Sequence, residues 1–202
     1  MTQTTFWKDL WHQGDTPWDL GGAHSSLERA MELLQGFRPL SLGSSIWVPG
    51  CGRGHEARAL ASLGFDVLAN DIEPKAIEAA RKLGEGEGLT LEVGDALESQ
   101  NRLFDAVFDR AFLCALPESV RLKYVENLIK HLKEGGFFVG LLFGEVAVEQ
   151  GPPFGVTEWE VFDYFSQDGN LVAVEMIPRW NHTGNVKKEY IFVWQKNSKE
   201  LS

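Results

Sequence analysis

Apolar positions along the chain fall into two patterns: short continuous runs, and longer stretches in which they recur at three- and four-residue intervals. The run Ser45 to Val48 predicts a first strand, and residues 55–63 predict a helix closed by Gly64. Residues 66–70 predict a second strand, after which Pro74 opens a helix at its first turn and Gly84 ends it. A third strand spans Leu89 to Val93, with Gly94-Asp95 at its carboxyl end. A fourth runs from Phe104 to Phe108 and is closed by Asp109-Arg110. Val125, Leu128, Ile129 and Leu132 stand at helical spacing, and Gly135-Gly136 is expected to stop that helix before the apolar strand Phe137 to Phe143. Thr157 with Glu160 has the spacing of a capping box for a helix bearing Trp159, Phe162 and Phe165.

Strand and helix patterns in alternation predict a parallel sheet covered on both faces. The ending departs from this. Leu171 to Ile177 and Glu189 to Trp194 are β-rich runs with no helix between them, joined by Pro178 to Lys188, and read as an antiparallel hairpin. Gly84 to Gly88 reads as a short flexible connection and Asn197 to Ser202 as a frayed tail.

With 202 residues and 44% hydrophobic content the chain can bury one sizeable core, so one domain is expected, with a helical leader over 1–40 and a core over 41–196. The formal charge of -10 and pI near 5.0 argue against a nucleic-acid partner, since none of the 19 basic residues forms a longer cluster than Lys187-Lys188. No run approaches the roughly 18 apolar residues of a membrane span, and Met1 to Thr5 has neither a basic leader nor an apolar core; a cytoplasmic monomer is expected. Cys51 and Cys114 make no disulfide scaffold and are expected to be reduced packing residues.

The candidate chemistry lies where the first strand ends. In Val48-Pro49-Gly50-Cys51-Gly52-Arg53-Gly54, glycines at 50, 52 and 54 let the backbone turn sharply and approach a ligand. Asp71, followed by Ile72, stands at the end of the second strand, where a carboxylate can hold ribose hydroxyls. A dinucleotide fingerprint would place its third glycine at 55, where this chain has His55. S-adenosylmethionine fits better, because it has no pyrophosphate to seat. Asp95, followed by Ala96, then lies where an adenine amine could be held, the alternative being that both acids are only turn or helix caps. His12, His24, His55, His131 and His182 are scattered without zinc-ligand spacing, so no metal is expected, and His55 itself is expected as a solvated residue at a helix start.

Four motifs resemble the thiopurine S-methyltransferase family, including its halide and thiol methyltransferase branch, over nearly the whole chain. They are Trp7 and Trp11 followed by Gly14-Asp15-Thr16-Pro17-Trp18; Val48 to Gly54; Phe104-Asp105 with Asp109 to Leu116; and Gly151-Pro152-Pro153-Phe154. The resemblance implies a Rossmann-like α/β fold, a seven-stranded and mostly parallel sheet with an antiparallel C-terminal hairpin and helices on both faces. It implies methyl transfer from S-adenosylmethionine by in-line displacement to a small acceptor such as a thiol, a halide or a related anion. It also implies that Trp7, Trp11 and Trp18 cover the cofactor, which Gly50, Gly52, Gly54, Asp71, Ile72, Asp95, Ala96, Asp109 and Arg110 contact. Arg110 would then lie between cofactor and acceptor as the catalytic residue.

The residues themselves are compatible with that picture. Trp7 and Trp11 are one helical turn apart and, with Phe6 and Leu10, form either an aromatic flap over a sulfonium cation or a plain amphipathic helix. Arg110 either holds an anionic acceptor or pairs with Asp109 or another carboxylate. Gly151 to Phe154 is rigid by composition and is expected to wall the acceptor pocket, with Trp18, Phe112, Phe143 and Phe154 supplying apolar surface. The glycine turn resembles the halide and thiol branch and Asp109-Arg110 the thiopurine branch, so the acceptor stays open. An oxygen, nitrogen or metalloid acceptor, or a noncatalytic binding protein, is the alternative.

Overall fold

A computed structural model describes residues 3–98, 101–147, 151–166, 169–180 and 185–198. The helices are α1 (Gln3–Gln13), α2 (Ser26–Phe37), α3 (His55–Ser62), α4 (Pro74–Lys82), α5 (Phe112–Ala115), α6 (Glu118–His131) and α7 (Glu158–Ser166). The strands are β1 (Ser45–Pro49), β2 (Asp66–Asp71), β3 (Leu89–Val93), β4 (Phe104–Arg110), β5 (Leu132–Val146), β6 (Leu171–Trp180) and β7 (Val186–Lys196). They form one seven-stranded sheet in the order β3-β2-β1-β4-β5-β7-β6. The first five are parallel, and β7 runs antiparallel between β5 and β6. This is the expected Rossmann-like sheet with its antiparallel ending. None of the helices is long and apolar enough to cross a membrane among the described residues.

Local chemistry sets several boundaries. Pro74 opens α4, and the Glu73 side chain accepts from the Lys75 N–H at 3.2 Å. The capping box before α7 forms reciprocally: Glu160 Oε2 accepts from Thr157 N at 2.7 Å, and Thr157 Oγ1 accepts from Glu160 N at 3.3 Å. Gly135-Gly136 does not end α6. The helix stops at His131, and the glycines lie inside β5, where the register moves from Phe104↔Leu132 to Ala106↔Phe137. A Cβ on Gly136 would stand 3.0 Å from Asp105 O, so the pair admits a bulge against β4 rather than a helix stop. Asn197, expected in a frayed tail, donates from its backbone to Asn170 O at 2.9 Å; residues 199–202 of that tail, and His182, lie outside the described residues.

Two apolar layers cover the sheet. On one face Ile46, Val48, Ala106, Phe108, Val139, Ile191 and Val193 pack with α2 and α3. On the other, Trp47, Val107, Phe138, Phe192 and Trp194 pack with α6 and α7. The leader is therefore divided. Leu27, Ala30, Met31 and Leu34 of α2 are buried in the first layer, so α2 is core and only the segment before it is free to act as a cover.

Alternation along β4 separates its last two residues. Arg110 shares the face of Ala106 and Phe108, beneath the leader, whereas Asp109 shares the face of Val107 and is fully buried under α5 and α6. Its carboxylate accepts from Phe112 N at 2.6 Å, Leu113 N at 3.2 Å and the Tyr124 hydroxyl at 2.9 Å. Burial pushes the Asp109 carboxyl up to about 7 because none of the three donors that oppose the shift carries a charge. Between about pH 4 and about pH 7 the unfolded carboxyl ionises while the folded one keeps its proton, so stability falls across that window by on the order of 4 kcal/mol and levels off above it. In thermal melts, Asp109→Asn should gain on the natural protein as pH rises through that window and run parallel above it; a constant offset at every pH would contradict this.

Candidate functional site

A cavity of about 710 Å³ opens beyond the carboxyl ends of β2, β1, β4 and β5, beneath the leader. Its wall begins at the glycine turn, where Gly50 and Gly52 have φ of +57° and +54°. A Cβ on Gly50 would stand 2.0 Å from Phe112 Cδ2, and one on Gly52 would point toward Trp11 and Trp18 at 3.8 and 4.0 Å. The chain thus presents bare backbone to the cavity at these two residues. Gly54 is placed differently: it caps α3 and faces Ala80 and Leu91 of the core, and it does not line the cavity.

Asp71, Ile72, Asp95 and Ala96 all line the cavity from consecutive strand ends. Asp71 also ties the turn together, accepting from Gly52 N and Glu73 N, both at 2.9 Å. Burial pushes its carboxyl up, against the pull of those N–H groups. Asp95 accepts from Leu97 N at 2.9 Å, so both acids cap backbone as well as face the cavity.

Phe6, Trp7, Leu10, Trp11 and Trp18 form the roof. Trp18 meets Trp7 and Trp11 edge-on, at 5.1 and 6.1 Å between ring centroids. A clasp holds this roof to the glycine turn. Asp19 lies 2.5 Å from Arg53 Nε and 3.0 Å from His55 Nε2, while the Arg53 guanidinium stands 5.3 Å over the Trp11 ring. His55 is therefore paired with the leader instead of solvated as expected from sequence. Burial would raise the Asp19 carboxyl, but the Gly21 N–H, His55 and Arg53 together hold it below the usual range. Nothing in the residue pattern distinguished Asp19 or Arg53 from ordinary surface charges, because the clasp exists only once the leader has folded back.

Arg110 reaches the cavity and donates from Nη1 to Trp18 O at 3.3 Å; its Nε lies 3.5 Å from Glu56 Oε1 and makes no hydrogen bond. The carboxylate beside it is thus Glu56, and Asp109, on the opposite face, does not line the cavity. Glu56 Oε1 also accepts from His24 N at 3.0 Å. His24 lines the cavity too, with Nδ1 accepting from Ser26 N at 3.1 Å. Burial first, then Arg110, lowers its readiness to take a proton, and Glu189 and Glu56 oppose this only in part.

Trp18, Phe112 and Phe143 line the same space, together with Pro152 and Pro153. Phe154 does not. Its N–H donates to Cys114 O at 2.7 Å and its ring lies under the Arg121 guanidinium at 5.8 Å, so the loop turns its prolines inward and its phenylalanine away. Burial pushes the Cys114 thiol up to about 12, and burial with neighbouring Asp71 pushes Cys51 well above the usual range; neither is poised as a nucleophile. Among the described residues no three His, Cys, Asp or Glu side chains come together as a metal site. Sequence reasoning missed His24, Glu56 and Glu189; for Glu189 the available signal was an acid opening an otherwise apolar strand run.

The chain matches the family model described as thiopurine S-methyltransferase over residues 2–196. It is similar to thiocyanate methyltransferase 1 of Brassica oleracea, 32% identical over 196 residues that cover 94% of this chain and 84% of that protein. A probable thiol methyltransferase 2 of Arabidopsis thaliana is 32% identical over 193 residues, covering 86% of this chain and 83% of that protein. Among solved structures, the magnesium protoporphyrin IX methyltransferase of Synechocystis PCC 6803 with bound S-adenosylhomocysteine superposes with a TM-score of 0.76 at 14% identity, covering 97% of this chain and all of that one, a likeness of fold. The protein belongs to the thiopurine S-methyltransferase family and is an S-adenosylmethionine-dependent methyltransferase.

Proposed function

We propose that the protein methylates a small soft nucleophile, such as a thiol, thiocyanate or a halide, held between Arg110 and the donor sulfur. The observation that carries this reading is the guanidinium of Arg110, which lines a cavity roofed by tryptophans and, among the described residues, engages only Nη1 in a hydrogen bond, to Trp18 O at 3.3 Å. The names of the two plant relatives, a thiocyanate methyltransferase and a probable thiol methyltransferase, support the same acceptor class.

The residues present fit the donor. The backbone of Gly50 and Gly52 on the cavity wall would face its amino-acid portion, Asp71 would take ribose hydroxyls, and Asp95 with Ala96 would meet the adenine edge. When bound, S-adenosylmethionine supplies a methyl group on a positively charged sulfur. The faces of Trp7, Trp11 and Trp18 attract such a cation. Phe112, Phe143, Pro152 and Pro153 limit water around the acceptor, which strengthens its attraction to Arg110 and strips solvent from the attacking atom. For an acceptor of this kind, alignment at near-attack distance accounts for most of the required acceleration.

Production of S-adenosylhomocysteine with iodide, hydrosulfide and an aromatic thiol, assayed side by side, tests this reading. Turnover with at least one is expected, and none with any of the three would leave only a binding protein. Arg110→Ala should keep donor affinity in calorimetry and lower turnover by about a hundredfold, the scale of removing one donor to developing charge. Loss of folding with unaltered turnover per folded molecule would instead make Arg110 a scaffold residue.

A further inference from the structure

Glu189 is a buried carboxylate on the cavity wall that makes no hydrogen bond or ion pair with any described residue. It lies near the start of β7 opposite Phe143 of β5, and shares the sheet face of Ile191 and Val193, which is the face beneath the leader. From Asp71 to Glu189 the cavity crosses β2, β1, β4, β5 and β7 in that order. The glycine turn and Asp71 occupy one end, Arg110 stands between, and Glu189 closes the end left for the acceptor. The charged and titratable groups nearby are His24 from the leader, Glu56 from α3, Arg110 from β4 and Arg179, the register partner of Glu189 on β6.

A carboxylate in that place discourages acceptors that are already anions and suits one that arrives carrying a proton. We infer that Glu189 is the proton acceptor for a thiol, and that it biases the site toward thiols over halides and thiocyanate. The inference rests on the methyl-transfer reading above and narrows its substrate class. The S–H bond of the thiol breaks with its proton passing to a Glu189 carboxylate oxygen; the sulfur electron pair forms the new S–CH₃ bond, and the pair of the breaking bond leaves with the donor sulfur. Arg110 faces the negative charge as it develops on the thiol sulfur. Other groups are less suited to take the proton. His24 Nδ1 already accepts from Ser26 N, so protonating the ring there costs that bond, and Glu56 is engaged by His24 N and Arg110.

Glu189→Gln tests this with 2-mercaptoethanol, a thiol that is mostly neutral at pH 7, and with iodide, which has no proton to give. The ratio of kcat/KM for the thiol over iodide should fall about a hundredfold at pH 7 and recover as pH rises toward the thiol's own ionisation in alkaline solution. Independently of turnover, calorimetric titration with thiocyanate should show roughly tenfold tighter binding to the variant, since one repelling charge is gone. Thermal melts and donor titration establish that the variant is folded. If it is not, Glu189→Asp, which keeps a carboxylate on a shorter arm, replaces it and should retain the thiol preference. Equal losses on thiol and iodide, an unchanged ratio, or thiocyanate affinity that does not move would overturn the assignment. Inactivity of the natural protein with every acceptor would instead count against the methyl-transfer reading.

Discussion

The turn at residues 50–54 is the constraint on which the rest of the site depends. Gly50 and Gly52 occupy left-handed backbone conformations that side chains rarely adopt, and Phe112 packs so closely on Gly50 that no Cβ fits between them. The turn is held from within by Asp71, which takes the Gly52 N–H. It then sets the direction of α3 and presents Arg53 and His55, the two residues on which the leader closes through Asp19. Wall, roof and α3 therefore follow from one short run of backbone.

A second constraint is the two-residue period of β4, which sends Asp109 and Arg110 to opposite faces. Asp109 becomes an internal cap for α5, bonded to Tyr124, and so fixes the position of Phe112 against the glycine turn. Arg110 becomes the charge inside the cavity. The contacts that hold the roof are individually modest, about 1 kcal/mol or less for a partly exposed ion pair and of similar size for a cation over an aromatic face. Closure thus relies on the Trp7–Trp11–Trp18 cluster and the Asp19 clasp together.

Strand and helix order, the antiparallel ending and the capping box at Thr157 were legible in the sequence because each is carried by periodicity or by neighbouring residues. What escaped it depended on contacts distant in the chain. Gly135-Gly136 reads locally as a helix stop, but the close passage of β4 turns it into a bulge within β5. His55 reads as solvated until Asp19, 36 residues earlier, folds onto it. The two motifs that drew attention to Asp109 and to Phe154 carry no information on which face each occupies, and neither residue lines the cavity. Glu189 looks like an ordinary strand-end acid until β7 inserts beside β5.

Titration of S-adenosylmethionine into the natural protein and into Gly50→Ala by calorimetry tests the dependence on the glycine turn most directly. The natural protein should bind the donor, and the alanine variant, whose Cβ would meet Phe112 Cδ2 at 2.0 Å, should lose that binding while retaining a cooperative thermal transition. A natural protein that does not bind the donor, or a variant that binds it equally well, would contradict the account.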